Sequence, residues 1–251
     1  MSLTDSDIAR PRRTQLDHGT AMQRAATEYQ RVAELLRSLA SDDWTTPTNC
    51  PPWDVRAMAA HLLGMAEMAA SLREQRRQVK AATNAHGVFI DALTALQVDE
   101  RTAMAPGDIV TRYEAVAPKA VRGRRRAPGF IRGRAMPQTQ RVGGRDETWT
   151  IGYLLDTILT RDPWMHRIDI CDATGAPLVL TAEHDGVIVD DIVREWAGRH
   201  GQPFVLRLTG PAGGSWANGS GPELECDVAS FCRALARRAP ASGLLATEVP
   251  F

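Results

Sequence analysis

The stretch from Thr148 to Gly175 constrains this chain most, because it reads as one helix whose inward stripe is not purely apolar. Leu155, Ile158, Leu159, Asp162, Met165, His166 and Asp169 follow the i, i+3, i+4, i+7 recurrence of a core-facing helix. A carboxylate and an imidazole turned toward a core are costly unless each finds a partner. Asp162-x3-His166 at one-turn spacing lets both reach one cation. Pro163 falls inside this helix and either kinks it or divides it, with Asp162 as N-cap and Pro163 as the first helical residue. Asp162 and His166 share a side in both cases.

Other helices supply the surroundings of such a stripe. Met22, Ala25, Ala26, Tyr29, Val32, Ala33, Leu36 and Leu39 give a helix over 18–40. A proline-rich passage at 41–52 leads to Trp53-Asp54, with Asp54 as the cap of a second helix over 55–81. His61 lies beside the apolar face of that helix. A shorter helix is expected between Val88 and Met104, and another from Pro106 to near Arg124. The first 16 residues read as a loosely held polar arm, and Arg122 to Arg134 as a basic, glycine-containing loop. That loop is either solvated or a collector of substrate carboxylates.

After Pro177 the pattern changes. A helix over 182–199, a strand at 203–209, a hairpin loop at 210–215, a further strand at 223–226 and a helix over 228–238 capped by Asp227 describe a small α/β unit. The expected division is a helical bundle at 17–176 and an α/β domain at 177–251.

Thirty basic and thirty acidic residues cancel, so no global field favours nucleic acid or an anionic membrane, and a small molecule is the expected partner. No apolar run of about 18 residues appears and the N-terminus lacks a signal-peptide core, which together predict a cytoplasmic protein. Cys50, Cys171, Cys226 and Cys232 show no Cys-x2-Cys spacing and read as free thiols.

Taken alone, His61 reads as a satisfied core or rim residue. Taken with Asp162 and His166 it completes two imidazoles and one carboxylate, which leave the fourth position of a tetrahedral zinc open, as catalytic sites do. Asp169 either hydrogen-bonds a ligand imidazole or pairs with Arg161 or Arg167. His18, His86, His184 and His200 fall at element ends or in loops, where exposure accounts for them.

Several blocks resemble one family. Trp53-Asp54-Val55-Arg56, Ala60-His61-Leu62, Thr160-Arg161-Asp162-x-Trp164-Met165-His166-Arg167-x-Asp169, Ala173-Thr174-Gly175, the Leu-Thr-Gly-Pro-x-Gly-Gly-x-Trp run at 208–216 and Thr247-Glu248-Val249-Pro250-Phe251 are similar to the mycothiol-dependent maleylpyruvate isomerase family of the DinB-like superfamily. The resemblance spans nearly the whole chain. It implies a DinB-like four-helix bundle followed by a sterol-carrier-like α/β domain. It also implies a divalent metal, usually zinc, held at the positions of His61, Asp162 and His166. Asp162 stands where the family pattern has Glu, so its carboxylate sits about one methylene further back. The cofactor implied is mycothiol, bound as thiolate at the open metal position, with cis-trans isomerisation or S-transfer as the reaction. Arg238 or Arg237 on the last helix is implied as the holder of substrate carboxylates. Two readings from other classes stand beside it: a noncatalytic protein binding an apolar ligand beside a vestigial metal site, and a thiol-independent metal hydrolase.

Overall fold

The computed structural model describes residues 10–85 and 88–251; His86 lies outside them. Asp17 accepts a hydrogen bond from the Thr20 N–H and starts α1, His18–Ser38. Asp54 does the same for Ala57 at 2.7 Å and starts α2, Val55–Ala70. The single helix expected over 55–81 is two. Ser71 takes an extended backbone, and its hydroxyl caps α3, Leu72–Asn84, by accepting from the Glu74 N–H. Then follow α4, Phe89–Asp99, and α5, Pro106–Arg125, which has proline at its first turn.

The stretch between α5 and the long helix, for which only a basic loop at 122–134 was expected, departs most from expectation. After a single helical turn, α6 (Gly129–Arg132), the chain forms a hairpin of β1, Ala135–Val142, and β2, Arg145–Thr150. Gly143 and Gly144 both have positive φ, 57° and 76°, the backbone that a two-residue hairpin turn needs. The polar arm is not loose near Arg12. Its N–H donates to the Thr148 carbonyl at 2.8 Å and its carbonyl accepts from Thr150 at 2.9 Å.

The long helix therefore begins later than expected, at Ile151 instead of Thr148. It consists of α7, Ile151–Tyr153, a π-helical turn, Leu154–Ile158, and α8, Leu159–Thr174, ended by Gly175 at φ 72°. Pro163 neither divides the helix nor makes Asp162 a cap. Lacking an N–H, Pro163 leaves the Leu159 carbonyl without its helical donor, and buried Arg124 fills that place at 2.8 Å. The same guanidinium donates to Leu155 O at 2.8 Å and Thr160 Oγ1 at 2.6 Å. Arg124 is thus neither a solvated loop residue nor a free anion collector.

Beyond α8 come α9, Asp185–His200, then β3, Phe204–Thr209, β4, Gly214–Asn218, and β5, Glu223–Asp227, and finally α10, Val228–Leu235. The sheet order is β4-β3-β5, with β3 antiparallel to β4 and parallel to β5. Phe204, Leu206 and Leu208 of the central strand face inward, against α9 and α10. The last helix is shorter than expected because Arg237 takes left-handed φ, 60°, and turns the chain away.

Two hydrophobic cores meet on α8. Ile170 and Cys171 pack with α1, α2 and α5, whereas Trp164, Met165 and Ile168 pack with α9, β3 and α10. Twelve of its sixteen residues are buried, so its charged residues must be satisfied from within the protein or by something it binds. Among the described residues no helix is long and apolar enough to cross a membrane, and all four cysteines are free.

Candidate metal centre

Asp162 and His166 lie one turn apart on α8 and face His61 of α2. The Nε2 atoms of both histidines are 3.4 Å from Asp162 Oδ1, and one ligand atom from each residue lies within 4.8 Å of the others. Tetrahedral bonds of about 2.1 Å place neighbouring ligand atoms about 3.4 Å apart, so these separations suit a shared small cation. They are long for the hydrogen bonds of an imidazole on a carboxylate. Asp162 Oδ2 is buried and has no hydrogen-bond partner among the described residues. No arginine or lysine forms an ion pair with it there; its ionisable neighbours at that distance are the two imidazoles. Two imidazoles and a carboxylate with an orphaned oxygen fit a divalent transition metal, with zinc the natural choice for such a donor set.

The electrostatics agree. Burial alone would raise the Asp162 pKa, but the His61 and His166 imidazoles outweigh it and hold the carboxyl well below the usual range. Burial likewise works against a charged His166, and Asp162 overcomes it, raising that imidazole well above its ordinary value. A cation at this point would take the place of the His166 proton.

Each imidazole is also held on its far side. His166 Nδ1 is 3.2 Å from Asp169 Oδ2, and fully buried Asp169 accepts from Arg238 Nε at 2.9 and 2.8 Å. The structure thus places Asp169 on His166 and not on Arg161 or Arg167, which have other carboxylates. Arg238 was expected to face substrate from the last helix. It lies past the end of α10, with Nε on Asp169 and Nη1 on the Ala236 carbonyl. Its neighbour Arg237 is largely exposed. Both arginines line a cavity of about 640 Å³ with Gly143, Gly144 and Glu248. On the other ligand, His61 Nδ1 is 2.8 Å from Gln97 Oε1.

Three further residues of the site had gone without a role. Gln97 is a polar position on a short apolar helix, which by itself carries no signal of a site. Trp53 sets its ring 5.1 Å from that of His61 and 6.1 Å from that of His166, walling the pair. Half-buried Cys50 points its thiol at Asp169 Oδ2, 3.6 Å away, within ligand reach of His166 and Asp169 but outside the His61 set. Its place just before the Pro51-Pro52-Trp53 run was the available signal.

Of the remaining histidines, His184 is not exposed: it is buried with Nε2 on Glu28 at 2.8 Å. His18 is half-buried against Asp156, and His200 packs on Trp196.

Residues 25–171 match the family model described as the mycothiol maleylpyruvate isomerase N-terminal domain, which covers more than half of the chain. The protein belongs to that family. Two uncharacterised proteins from Mycobacterium tuberculosis, of strains H37Rv and CDC 1551, are each 24% identical to it over 216 residues, covering 81% of this chain and 78% of the relative. Among solved structures, the crystal structure of the mycothiol-dependent maleylpyruvate isomerase superposes with a TM-score of 0.58 at 15% identity, over 89% of this chain and 90% of that one. A histidine-to-alanine variant of the same enzyme gives 0.57 at 14%. At these identities the superpositions establish a shared fold, including the small C-terminal sheet region.

Proposed function

We propose that the protein is a metal- and thiol-dependent enzyme acting on a small carboxylate substrate, with His61, Asp162 and His166 as ligands of a divalent ion, zinc by donor set, and mycothiol as the thiol cofactor. The observation that carries this reading is Asp162 Oδ2, a buried carboxylate oxygen left without a partner between two convergent imidazoles. When bound, such a metal would keep the thiol as thiolate at neutral pH, able to add to a cis double bond and leave after rotation, or to stay attached in a transfer.

The chain's own residues do the rest. His61, Asp162 and His166 leave one tetrahedral position free for the thiol. Trp53 shields the histidine pair from water on one side. Asp169 accepts a hydrogen bond from His166 Nδ1–H, which leaves Nε2 free to bind metal, and Arg238 keeps Asp169 charged. Arg238 Nη2, outside these contacts, is the donor offered to a substrate carboxylate. The unit at 177–251 packs against α8 of the unit at 17–176, so the arginine of the second unit supports a ligand of the first. A cytoplasmic location belongs to the same proposal.

The test is calorimetry of thiol binding with metal-loaded protein, followed by turnover of maleylpyruvate and related cis-unsaturated acids. Thiol binding that needs the metal and disappears in His166→Ala supports the proposal. Turnover without thiol would favour a hydrolase, and metal-independent binding of an apolar ligand would favour a carrier.

A further inference from the structure

A chain of buried amides anchors the His61 ring on the side away from Asp162. Gln97 Oε1 lies 2.8 Å from His61 Nδ1, and Gln97 Nε2 donates to Gln78 Oε1 at 2.8 Å. Gln78 Nε2 donates in turn to the Gly64 carbonyl at 3.2 Å and to Glu74 Oε1 at 3.0 Å. Both glutamines are fully buried. A side-chain amide can be turned either way, but here the far end allows one direction only. A backbone carbonyl and a carboxylate are acceptors. Hydrogen bonds from Arg77 hold the Glu74 carboxyl ionised, with its pKa lowered to about 2.

Gln78 must therefore turn its NH2 toward Gly64 and Glu74, and its oxygen toward Gln97. Gln97 must then turn its NH2 toward Gln78 and its oxygen toward His61. An oxygen facing Nδ1 places a proton on Nδ1, which leaves Nε2 of the neutral ring with a free lone pair directed at Asp162 and His166. Gly64 makes the approach possible, since a Cβ there would lie 2.6 Å from Gln97 Cγ.

We propose that Gln97, oriented by Gln78 and Glu74, is a positioning residue for His61 that selects the tautomer offering Nε2 to the metal. This inference rests on reading His61, Asp162 and His166 as a metal centre. The two histidines are then held differently. His166 leans on a carboxylate, whereas His61 leans on a neutral amide that fixes the proton without adding charge beside the ion.

The experiment compares wild type, Gln97→Met, Gln97→Glu and Gln78→Met as full-length proteins, stripped and reloaded with Zn²⁺ or Co²⁺. Affinity is read by chelator competition and ligand geometry by the visible absorption of Co²⁺. Gln97→Met keeps the side-chain length but loses the acceptor, and should weaken Zn²⁺ binding about 10- to 100-fold and alter the Co²⁺ spectrum. Gln97→Glu restores an acceptor and should bind within about threefold of wild type, which a merely space-filling role would not require. If Gln97→Met does not fold, Gln78→Met makes the same test one link further out, with an expected loss of up to about 10-fold. A folded Gln97→Met with wild-type affinity and spectrum overturns the inference and leaves the metal centre standing. Wild type that takes up no metal removes both.

Discussion

Three groups of buried charges sit on α8, and comparing two kinds among them separates framework from site. Around Arg167 and Arg161 each carboxylate meets a cation supplied by the chain. Arg167 reaches Glu28 at 2.7 Å and Asp185 at 2.7 Å, and Arg31 takes the other Asp185 oxygen at 2.5 Å. Arg161 reaches Asp191 at 2.7 Å and Glu195 at 2.8 Å, and Tyr153 and Arg199 complete Glu195. These groups are nearly closed: among the described residues Arg161 Nε and His184 Nδ1 are left over, but no buried carboxylate oxygen of either group is. Around Asp162 the reverse holds. The leftover atom is an acceptor, and among the described residues no arginine or lysine pairs with it. Glu28, His184 and Asp185 also lie close enough together to suggest a metal site, yet their oxygens are already occupied by Arg167, Arg31 and His184. Proximity of ligand types is therefore a weaker signal than an acceptor without a partner.

The largest expected effect comes from opening a closed group. Arg167→Ala strips the buried Glu28 and Asp185 of their shared cation and should cost about 3–5 kcal/mol in denaturant unfolding, before any question of metal. A loss under about 1 kcal/mol would mean that the group is solvated, and the distinction between the two kinds would fail.

Gly64→Ala probes the boundary between framework and site. Its Cβ would collide with Gln97, so about 1–3 kcal/mol of stability and part of the metal affinity should be lost together. Loss of stability with unchanged metal binding would separate the two.

Acid should find the closed groups as well. Burial tends to raise the pKa values of Asp185 and Glu195, but Arg167 and Arg161 overcome it and hold both below the ordinary carboxylate range. For groups depressed in the folded state, stability is fully present above the unfolded value of about 4 and drains as pH falls toward the folded values. Melting temperature should therefore drop below about pH 4 in wild type, and by less in Glu195→Gln, which starts less stable. Parallel acid profiles would contradict the assignment.

The smallest effect belongs far from either kind of group. Ser71→Ala removes the cap of α3 and should cost about 1 kcal/mol, with no change in metal binding.

How much of this was legible in the sequence follows from which contacts are local. Asp162 and His166 share one helix turn, so their common face could be read from spacing alone. His61 is far away in the chain, and no spacing rule joins it to them; its partnership was inferred from donor chemistry, two imidazoles and one carboxylate, and strengthened by the resemblance. Gln97 and Gln78 were not found: one lies on a short apolar helix and the other on a polar one, and nothing in either pattern tells which side chains meet. The break at Ser71 hid inside continuous helical periodicity, because a serine that caps looks like a serine that is tolerated. The hairpin at 135–150 was masked by its arginines, although Gly143-Gly144 between alternating residues was a usable turn signal. The Pro163 problem was visible in the sequence, but its solution was not, since the donor that fills the Leu159 carbonyl comes from Arg124 on α5.

The central claim is that the Asp162 group is completed by a cation from outside the chain. The most direct measurement is the metal content of the purified, zinc-supplemented protein by mass spectrometry, beside Asp162→Ala, with thermal melts of both after chelation. The expected result is about one divalent ion per wild-type chain, its loss in the variant, and a chelated variant that melts no lower than chelated wild type. A wild type that stays metal-free on reconstitution, or a variant that keeps its ion, would contradict it.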